Sequence, residues 1–488
     1  MPSFETLDSD DADVPLCTLD ETESSSSCDD DGLERQAADG RKLYDQHRIN
    51  MWCIVAYAMP SMFSQFYFTM FTVFLVPYLL KDLGLTAFQV SLVLLAGPFS
   101  GLTASPVFGI LSDRSRRRFI FLVAGAAVMA VCQLVLGWSR EITGSNNMVA
   151  ARWLSTAAIF TGTMSVRAYI IGFRLLIVDN VPPRQQPVMN LVSSLLGSLG
   201  SVGMLAAGFA NPSFQLVSFL CSSGVIFSIV PVWLVRPAEC YKPVVEQQGG
   251  SFTALLRDIW RARTSLPPKT RRTCGVQILC QYAYFPVSHY ASKYLIDSYV
   301  ATRGNSAEAA PAGLMAQASV FVLLIAQTCG FVLQMPITRS WDPSLSLGGS
   351  VRQRMNKDIT ALRQMWALAL LTLGVSSLGA IFLRTSFMAA SICIASIVCI
   401  SPLSGLVPLT IISYEAAVVQ KERGPSITSS GTYISYYEMA ITVGQGLSAV
   451  GNAILNFGIE KSGARIGSST AILFCPSVVG AIVAALIC

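Results

Sequence analysis

Two arginines lie inside one long apolar stretch of the sequence, where a charged side chain needs a structural or functional reason. Arg167 and Arg174 are seven residues apart, about two turns of an α-helix, so both side chains project from nearly the same face. A charge near the centre of a bilayer costs about 2.5–3.5 kcal/mol on insertion scales. Two cations on one face therefore indicate either a site for an anionic solute or acidic partners on another helix.

Glu438 lies in a second apolar stretch and is a candidate partner for these arginines. Its face of the helix carries polar or small residues spaced by three, four or seven positions: Gly431, Ser435, Glu438, Thr442, Gln445 and Asn452. Such a face predicts contact with a cavity or another helix rather than with lipid. We consider Glu438 and Arg167 a coupling pair, or Arg167 a direct ligand of a carboxylate or phosphate. A purely structural ion pair is an equal alternative.

Neutral side chains form a second group of candidates, because their amides and hydroxyls suit the hydroxyls of a sugar. They are Asn190, Gln277, Gln281, Tyr282, Tyr290 and Gln445. Tyr and Gln also form ordinary links between helices, so each residue alone is a weak signal. His289 is predicted to be neutral and hydrogen-bonded. No Cys/His cluster, Walker A loop or nucleophile–base pattern occurs, so we predict no metal, no cofactor and no enzymatic activity.

The composition is that of a membrane protein. Of the 488 residues, 52% are hydrophobic and 13% are charged, whereas soluble domains carry about 25% charged residues. Residues 1–50 hold 14 acidic and four basic residues, and the other 438 hold 30 basic and 15 acidic. In so apolar a chain, this basic surplus indicates a membrane surface and not nucleic acid as the partner.

Twelve apolar segments predict an all-α membrane protein, since a helix needs about 20 residues to cross a bilayer. Their approximate limits are 51–80, 87–111, 119–138, 149–178, 188–210, 213–235, 273–298, 313–336, 364–384, 387–413, 429–456 and 468–488. Glycines and serines on one face of the fifth span predict close helix packing more than a binding site. The predicted organisation is a disordered acidic tail (1–50), a six-helix bundle (51–235), a central loop (236–272) and a second six-helix bundle (273–488).

Basic residues in the predicted loops indicate the orientation. If the N-terminus is cytosolic, the loops on the cytosolic side hold 20 Lys and Arg residues, and the opposite loops hold six. Cytosolic loops of membrane proteins carry such an excess. Both termini, the acidic tail and the central loop are therefore expected in the cytosol.

A basic turn after the second span contains the pattern Gly-x-x-x-Asp-Arg-x-x-Arg-Arg. It resembles the signature loop between the second and third helices of the major facilitator superfamily. The resemblance implies two six-helix bundles, a solute site between them, and a charge relay that locks neighbouring helices in one state. The residues of this gating motif are Gly109, Asp113, Arg114, Arg117 and Arg118, with Asp179 at the end of the fourth span.

Further stretches resemble one subgroup, the sucrose/maltose-type proton symporters, or glycoside–pentoside–hexuronide cation symporters. Residues 77–80 and 95–102 look like the first two helices of that family, residues 174–182 like the end of its fourth helix, and residues 271–277 like its seventh. The family usually has acids in its first and fourth helices as proton and sugar partners. This sequence has Phe71 and Thr163 at those positions.

The resemblance implies secondary transport of a sugar, such as a sucrose- or maltose-like α-glucoside, driven by a proton gradient. We expect a monomer in the plasma membrane, with an internal membrane as the other possibility. Two alternatives remain: transport of a small organic anion, suggested by Arg167 and Arg174, and a non-transporting solute sensor that signals through its tail.

Overall fold

A computed structural model describes residues 49–115, 117–144, 147–181, 185–210, 212–235, 268–303, 312–340, 351–423, 430–462 and 471–488. The acidic tail up to residue 48 and the central segment 236–267 lie outside the described residues, so their predicted states stay predictions. Within the described ranges, the chain is helical and contains no strand. The predicted all-α fold is confirmed.

Every predicted span coincides with at least one helix of the structure. The first half of the sequence, up to residue 235, contains α1 (Met51–Met70), α2 (Val76–Lys81), α3 (Ala87–Leu94), α4 (Ala96–Ser115), α5 (Arg118–Gly137), α6 (Ser139–Thr143), α7 (Met148–Asn180), α8 (Gln186–Phe209), α9 (Phe214–Phe227) and α10 (Ile229–Val235). The second half, from residue 268, contains α11 (Pro268–Arg303), α12 (Ala312–Ser340), α13 (Val351–Phe382), α14 (Phe387–Arg423), α15 (Ser430–Ser462) and α16 (Cys475–Ile487).

Nine stretches of the described chain are long and apolar enough to cross a membrane. The predicted spans outside this group are those of α11, α15 and α16. The last is short, with 13 residues. In contrast, α11 and α15 have 36 and 33 residues but carry many polar side chains. Polar side chains in membrane helices face the protein interior or a cavity, so these two helices are expected to line one.

A π-helical turn, Phe71–Leu75, separates α1 from α2 inside the first predicted span. Pro77 follows it as the second residue of α2. Proline has no backbone N–H and its ring crowds the carbonyl four residues earlier, so the preceding turn widens. Phe71 is the first residue of this widened turn.

Glycines bring α4 close to α15 and α8 close to α1. A Cβ atom at Gly101 would overlap the side chain of Thr442, and one at Gly200 would overlap the carbonyl of Met62. Small residues at such crossings allow helix backbones to approach in membrane proteins. The crossing of α4 and α15 joins the two halves of the sequence.

Candidate functional site

A cavity of about 440 Å³ lies between helices of both halves. Its walls come from α1, the π-helical turn, α3, α4, α7 and α8, and from α11, α12, α14 and α15. Hydroxyl and amide side chains are frequent among them, including Ser61, Ser64, Gln65, Thr163, Asn190, Ser194, Ser198, Gln281, Ser292, Gln327, Ser404 and Gln445. Sites for small molecules are typically about 300–1,000 Å³ in volume.

Glu438 lies in this cavity between two arginines. One carboxylate oxygen accepts a hydrogen bond from Nη1 of Arg167 at 3.3 Å, and the other is paired with Nη1 of Arg174. The pair of Arg167 and Glu438 is buried, with 6% and 3% of the two residues exposed. Because the arginines belong to α7 and the acid belongs to α15, this charge cluster connects the two halves.

The two guanidinium groups differ in their other contacts. Nη2 of Arg167 donates to the carbonyl oxygen of Gly97 at 3.2 Å, and its Nε has no hydrogen-bond partner among the described residues. Arg174 keeps 24% of its side chain exposed, and its guanidinium carbon lies 6.0 Å from the ring centre of Tyr437. Both arginines line the cavity.

The two positions at which the resemblance implies acids also line the cavity. Phe71 stacks on a tyrosine ring of α1, with 5.1 Å between the ring centres. The hydroxyl of Thr163 donates to a carbonyl at the start of α4 at 3.3 Å. Neither residue is charged. Among the cavity-lining residues that the structure describes, the Lys, Arg, Asp and Glu side chains are Arg167, Arg174 and Glu438, which carry two positive charges and one negative charge.

Three neutral candidates from α11 and α15 also line the cavity. Nε2 of Gln445 donates to Oε1 of Gln281 at 3.3 Å. Nδ1 of His289 lies 3.0 Å from both the hydroxyl of Ser288 and the carbonyl oxygen of Phe285. This agrees with the prediction of a hydrogen-bonded histidine.

Three other candidates lie outside the cavity lining: Tyr282, Tyr290 and Gln277. The Tyr290 hydroxyl is 2.9 Å from Oγ of Ser91, and Nδ2 of Asn456 donates to the same Oγ at 2.9 Å. We call Ser91, Tyr290 and Asn456 the Ser91 link, which joins α3 to α11 and α15. Gln277 is fully buried, and within the described chain its amide has no hydrogen-bond partner.

The predicted gating motif is only partly described. Gly109 is buried near the end of α4, Arg117 is exposed, and Nη1 of Arg118 donates to Oγ of Ser112 at 3.0 Å. The side chains of three motif residues lie outside the described ones, so their relay stays a prediction. They are Asp113, Arg114 and Asp179.

The serines of α8 line the cavity, a placement that the sequence pattern made the less favoured alternative to helix packing. The glycines of α8 pack against α1, as predicted, but Ser194 and Ser198 line the cavity. Ser194 donates to Oε1 of Gln334 on α12, and Nε2 of Gln334 donates to Ser198, both at 2.7 Å. No sequence pattern singled out Gln334, because it is one polar residue near the end of an apolar span.

Comparisons with known proteins agree with this architecture. The sequence profile of the Major Facilitator Superfamily matches residues 58–449. The General alpha-glucoside permease of Schizosaccharomyces pombe is 28% identical over 246 residues, covering 45% of this chain and 43% of the permease. The Sucrose transport protein SUT2 of Oryza sativa subsp. japonica is 30% identical over 168 residues, covering 30% of this chain and 32% of that protein. The alignments thus span less than half the length of these relatives.

Solved structures resemble the whole fold at low sequence identity. An auto inhibited POT family peptide transporter has a TM-score of 0.58 and 12% identity, covering 90% of this chain and 96% of that one. The human organic anion transporter MFSD10 (TETRAN) has a TM-score of 0.56 and 12% identity, covering 90% of this chain and all of that one. At this identity the likeness concerns the fold alone.

Proposed function

Because this chain belongs to the Major Facilitator Superfamily, we propose that it is a secondary transporter that moves a carbohydrate across a membrane by alternating access. The proposed solute has the size of a disaccharide, such as a sucrose- or maltose-like α-glucoside. Uptake is coupled to a proton gradient, without a cofactor. The protein is a monomer in the plasma membrane, with both termini in the cytosol.

The observation that carries this proposal is the cavity between the two halves. Its volume of about 440 Å³ is suited to a small solute. The hydroxyl and amide groups of α1, α8, α11 and α15 supply donors and acceptors that match sugar hydroxyls. The permease and sucrose transport proteins that the chain resembles support a carbohydrate as the solute.

Glu438 is the proposed site of proton coupling. Of the described lining residues, Glu438 is the one that has a carboxylate. Its partners Arg167 and Arg174 lie on α7, in the first half of the sequence. Protonation removes the negative charge that attracts both guanidiniums. The contact between α7 and α15 then weakens, so proton binding is linked to separation of the halves at this end of the cavity.

Purified protein in liposomes provides the test. An inward proton gradient is expected to increase uptake of labelled maltose, and Glu438→Gln is expected to remove this increase, because the amide does not titrate. Gln445→Leu is the matched control, since it alters a neutral residue of the same helix and should leave the stimulation by protons intact. Maltose binding without flux in the wild-type protein would contradict transport and indicate a sensor. Stimulation that persists in Glu438→Gln would contradict the coupling role.

A further inference from the structure

We propose that the preferred solute of the cavity is a carbohydrate bearing one carboxylate, which Arg167 and Arg174 bind. This inference rests on the proposed carbohydrate transport and specifies its substrate class. It comes from the balance of charge around the cavity, which differs from that of a site for a neutral sugar.

Among the described residues of the lining, the Lys, Arg, Asp and Glu side chains supply two guanidinium groups and one carboxylate. Phe71 and Thr163, where the resemblance implies acids, add no charge. A buried charge without a partner is unfavourable, because the low-dielectric surroundings solvate it poorly. One positive charge therefore remains to be balanced when a solute displaces water from the cavity, and a monoanion balances it.

The arginines also have hydrogen-bond donors to spare. A guanidinium has five N–H donors in a planar fork, and arginine frequently binds a carboxylate through two parallel hydrogen bonds. Arg167 donates to Glu438 and to the Gly97 carbonyl, and its buried Nε lacks a partner among the described residues. Arg174 is exposed to the cavity, and Glu438 is its hydrogen-bond acceptor within the described chain.

The rest of the cavity suits the carbohydrate part of such a solute. Gln281 and Gln445 present amides from the second half. Tyr284, Phe285 and Phe68 supply aromatic surface nearby. A carboxylate alone would leave these polar and aromatic groups unused, whereas a disaccharide acid contacts both them and the arginines.

Maltose and maltobionate are a matched pair of probes. Maltobionate is the aldonic acid of maltose, which keeps the glycosidic bond and adds one carboxylate. We expect the purified wild-type protein to bind maltobionate at least about tenfold more tightly than maltose in calorimetric titrations, because hydrogen bonds to charged groups are the stronger ones. In liposomes, unlabelled maltobionate should compete with labelled maltose at correspondingly lower concentration.

Variants separate the charge from the shape of the cavity. Arg167→Gln should reduce the affinity for maltobionate to about the affinity for maltose, while maltose still binds. Arg167→Lys should keep part of the preference for maltobionate. Gln445→Leu should weaken both sugars by a similar factor. Size-exclusion profiles and melting temperatures identify any variant that fails to fold, and the wild-type comparison stands without the variants.

The outcomes distinguish this inference from the proposed function. Equal binding of the two probes, with maltose transported, would overturn the preference for an acidic carbohydrate and leave carbohydrate transport standing. Binding of neither probe would overturn both. A preference for maltobionate that Arg167→Gln leaves unchanged would overturn the role of the arginines.

Discussion

At the scale of single residues, Glu438 is the point on which the site depends. The spacing of Arg167 and Arg174 predicted that they share a face, and the polar face of α15 predicted that Glu438 avoids lipid. The structure adds that both arginines contact the one acid. The sequence made Glu438 a candidate partner of these arginines but could not show the contact, because how α7 and α15 face each other depends on packing between residues more than 260 positions apart.

The first prediction concerns stability. Glu438→Ala is expected to lower the free energy of unfolding by about 3–5 kcal/mol, because two guanidiniums in a largely buried site lose their shared acceptor. Thermal and denaturant unfolding of purified protein in detergent would measure the loss. Gln445→Ala is the control, with an expected cost of about 1 kcal/mol, since it removes one neutral hydrogen bond.

A double-mutant cycle tests the same contact directly. The cost of Arg174→Gln should be smaller in a Glu438→Gln background than in the wild type, by about 0.5–3 kcal/mol, because the partner is already gone. Strictly additive costs would show that Arg174 and Glu438 do not interact in solution.

Tyr290 illustrates where prediction from sequence was incomplete. Tyr290 is nine residues after Gln281, about two and a half turns, so the two side chains leave α11 on opposite sides. Polar residues on more than one face leave the rotation of such a helix undetermined. Gln281 faces the cavity, whereas Tyr290 forms the Ser91 link.

At the scale of helices, the crossing of α4 and α15 sets how closely the charged residues approach. Gly97 and Gly101 both lie in α4, four residues apart, and the sequence does not indicate which of them lies at the crossing. In the structure, a Cβ at Gly97 would meet no atom within 4 Å, whereas one at Gly101 would overlap Thr442 and lie 3.1 Å from Cζ of Arg167. The predicted spans located both helices correctly but did not indicate which glycine lies at the crossing.

Gly101→Ala is therefore expected to destabilise the protein by about 1–3 kcal/mol, the usual cost of overpacking. Gly451→Ala on α15 is the matched control, because a Cβ there meets nothing within 4 Å, and it should be neutral or stabilise by up to about 1 kcal/mol. Melting temperatures of the purified variants check both. Removing the overlapping Thr442 methyl group with Thr442→Ser should recover part of the loss, and failure to recover any would contradict this contact.

At the scale of the molecule, the two halves touch at both ends of α15. Glu438 and Asn456 are 18 residues apart, about 27 Å along a helix. Near one end Glu438 meets the arginines of α7, and near the other Asn456 takes part in the Ser91 link. Proposed alternating access requires these contacts to open in turn. The charge and periodicity of the sequence predicted the spans, but not that one contact is ionic and the other neutral.

The ionic contact leads to a prediction about how the membrane potential affects uptake. If Glu438 carries one proton for each solute that crosses, a monoanionic solute and its proton together carry no net charge. Maltose with one proton carries one positive charge. Membrane potential acts only on net charge that crosses, at about 2.3 kcal/mol per charge for each 100 mV.

Uptake into liposomes under a valinomycin-imposed potassium potential would measure the net charge that crosses with each solute. An inside-negative potential is expected to increase maltose uptake and to leave maltobionate uptake unchanged, while an inward proton gradient increases both. In Glu438→Gln the proton effect should disappear for both solutes, because the carboxylate that carries the proton is gone. Stimulation of maltobionate uptake by the potential would mean that more than one positive charge accompanies each anion. Glu438 would then not be the single proton carrier, since it binds only one.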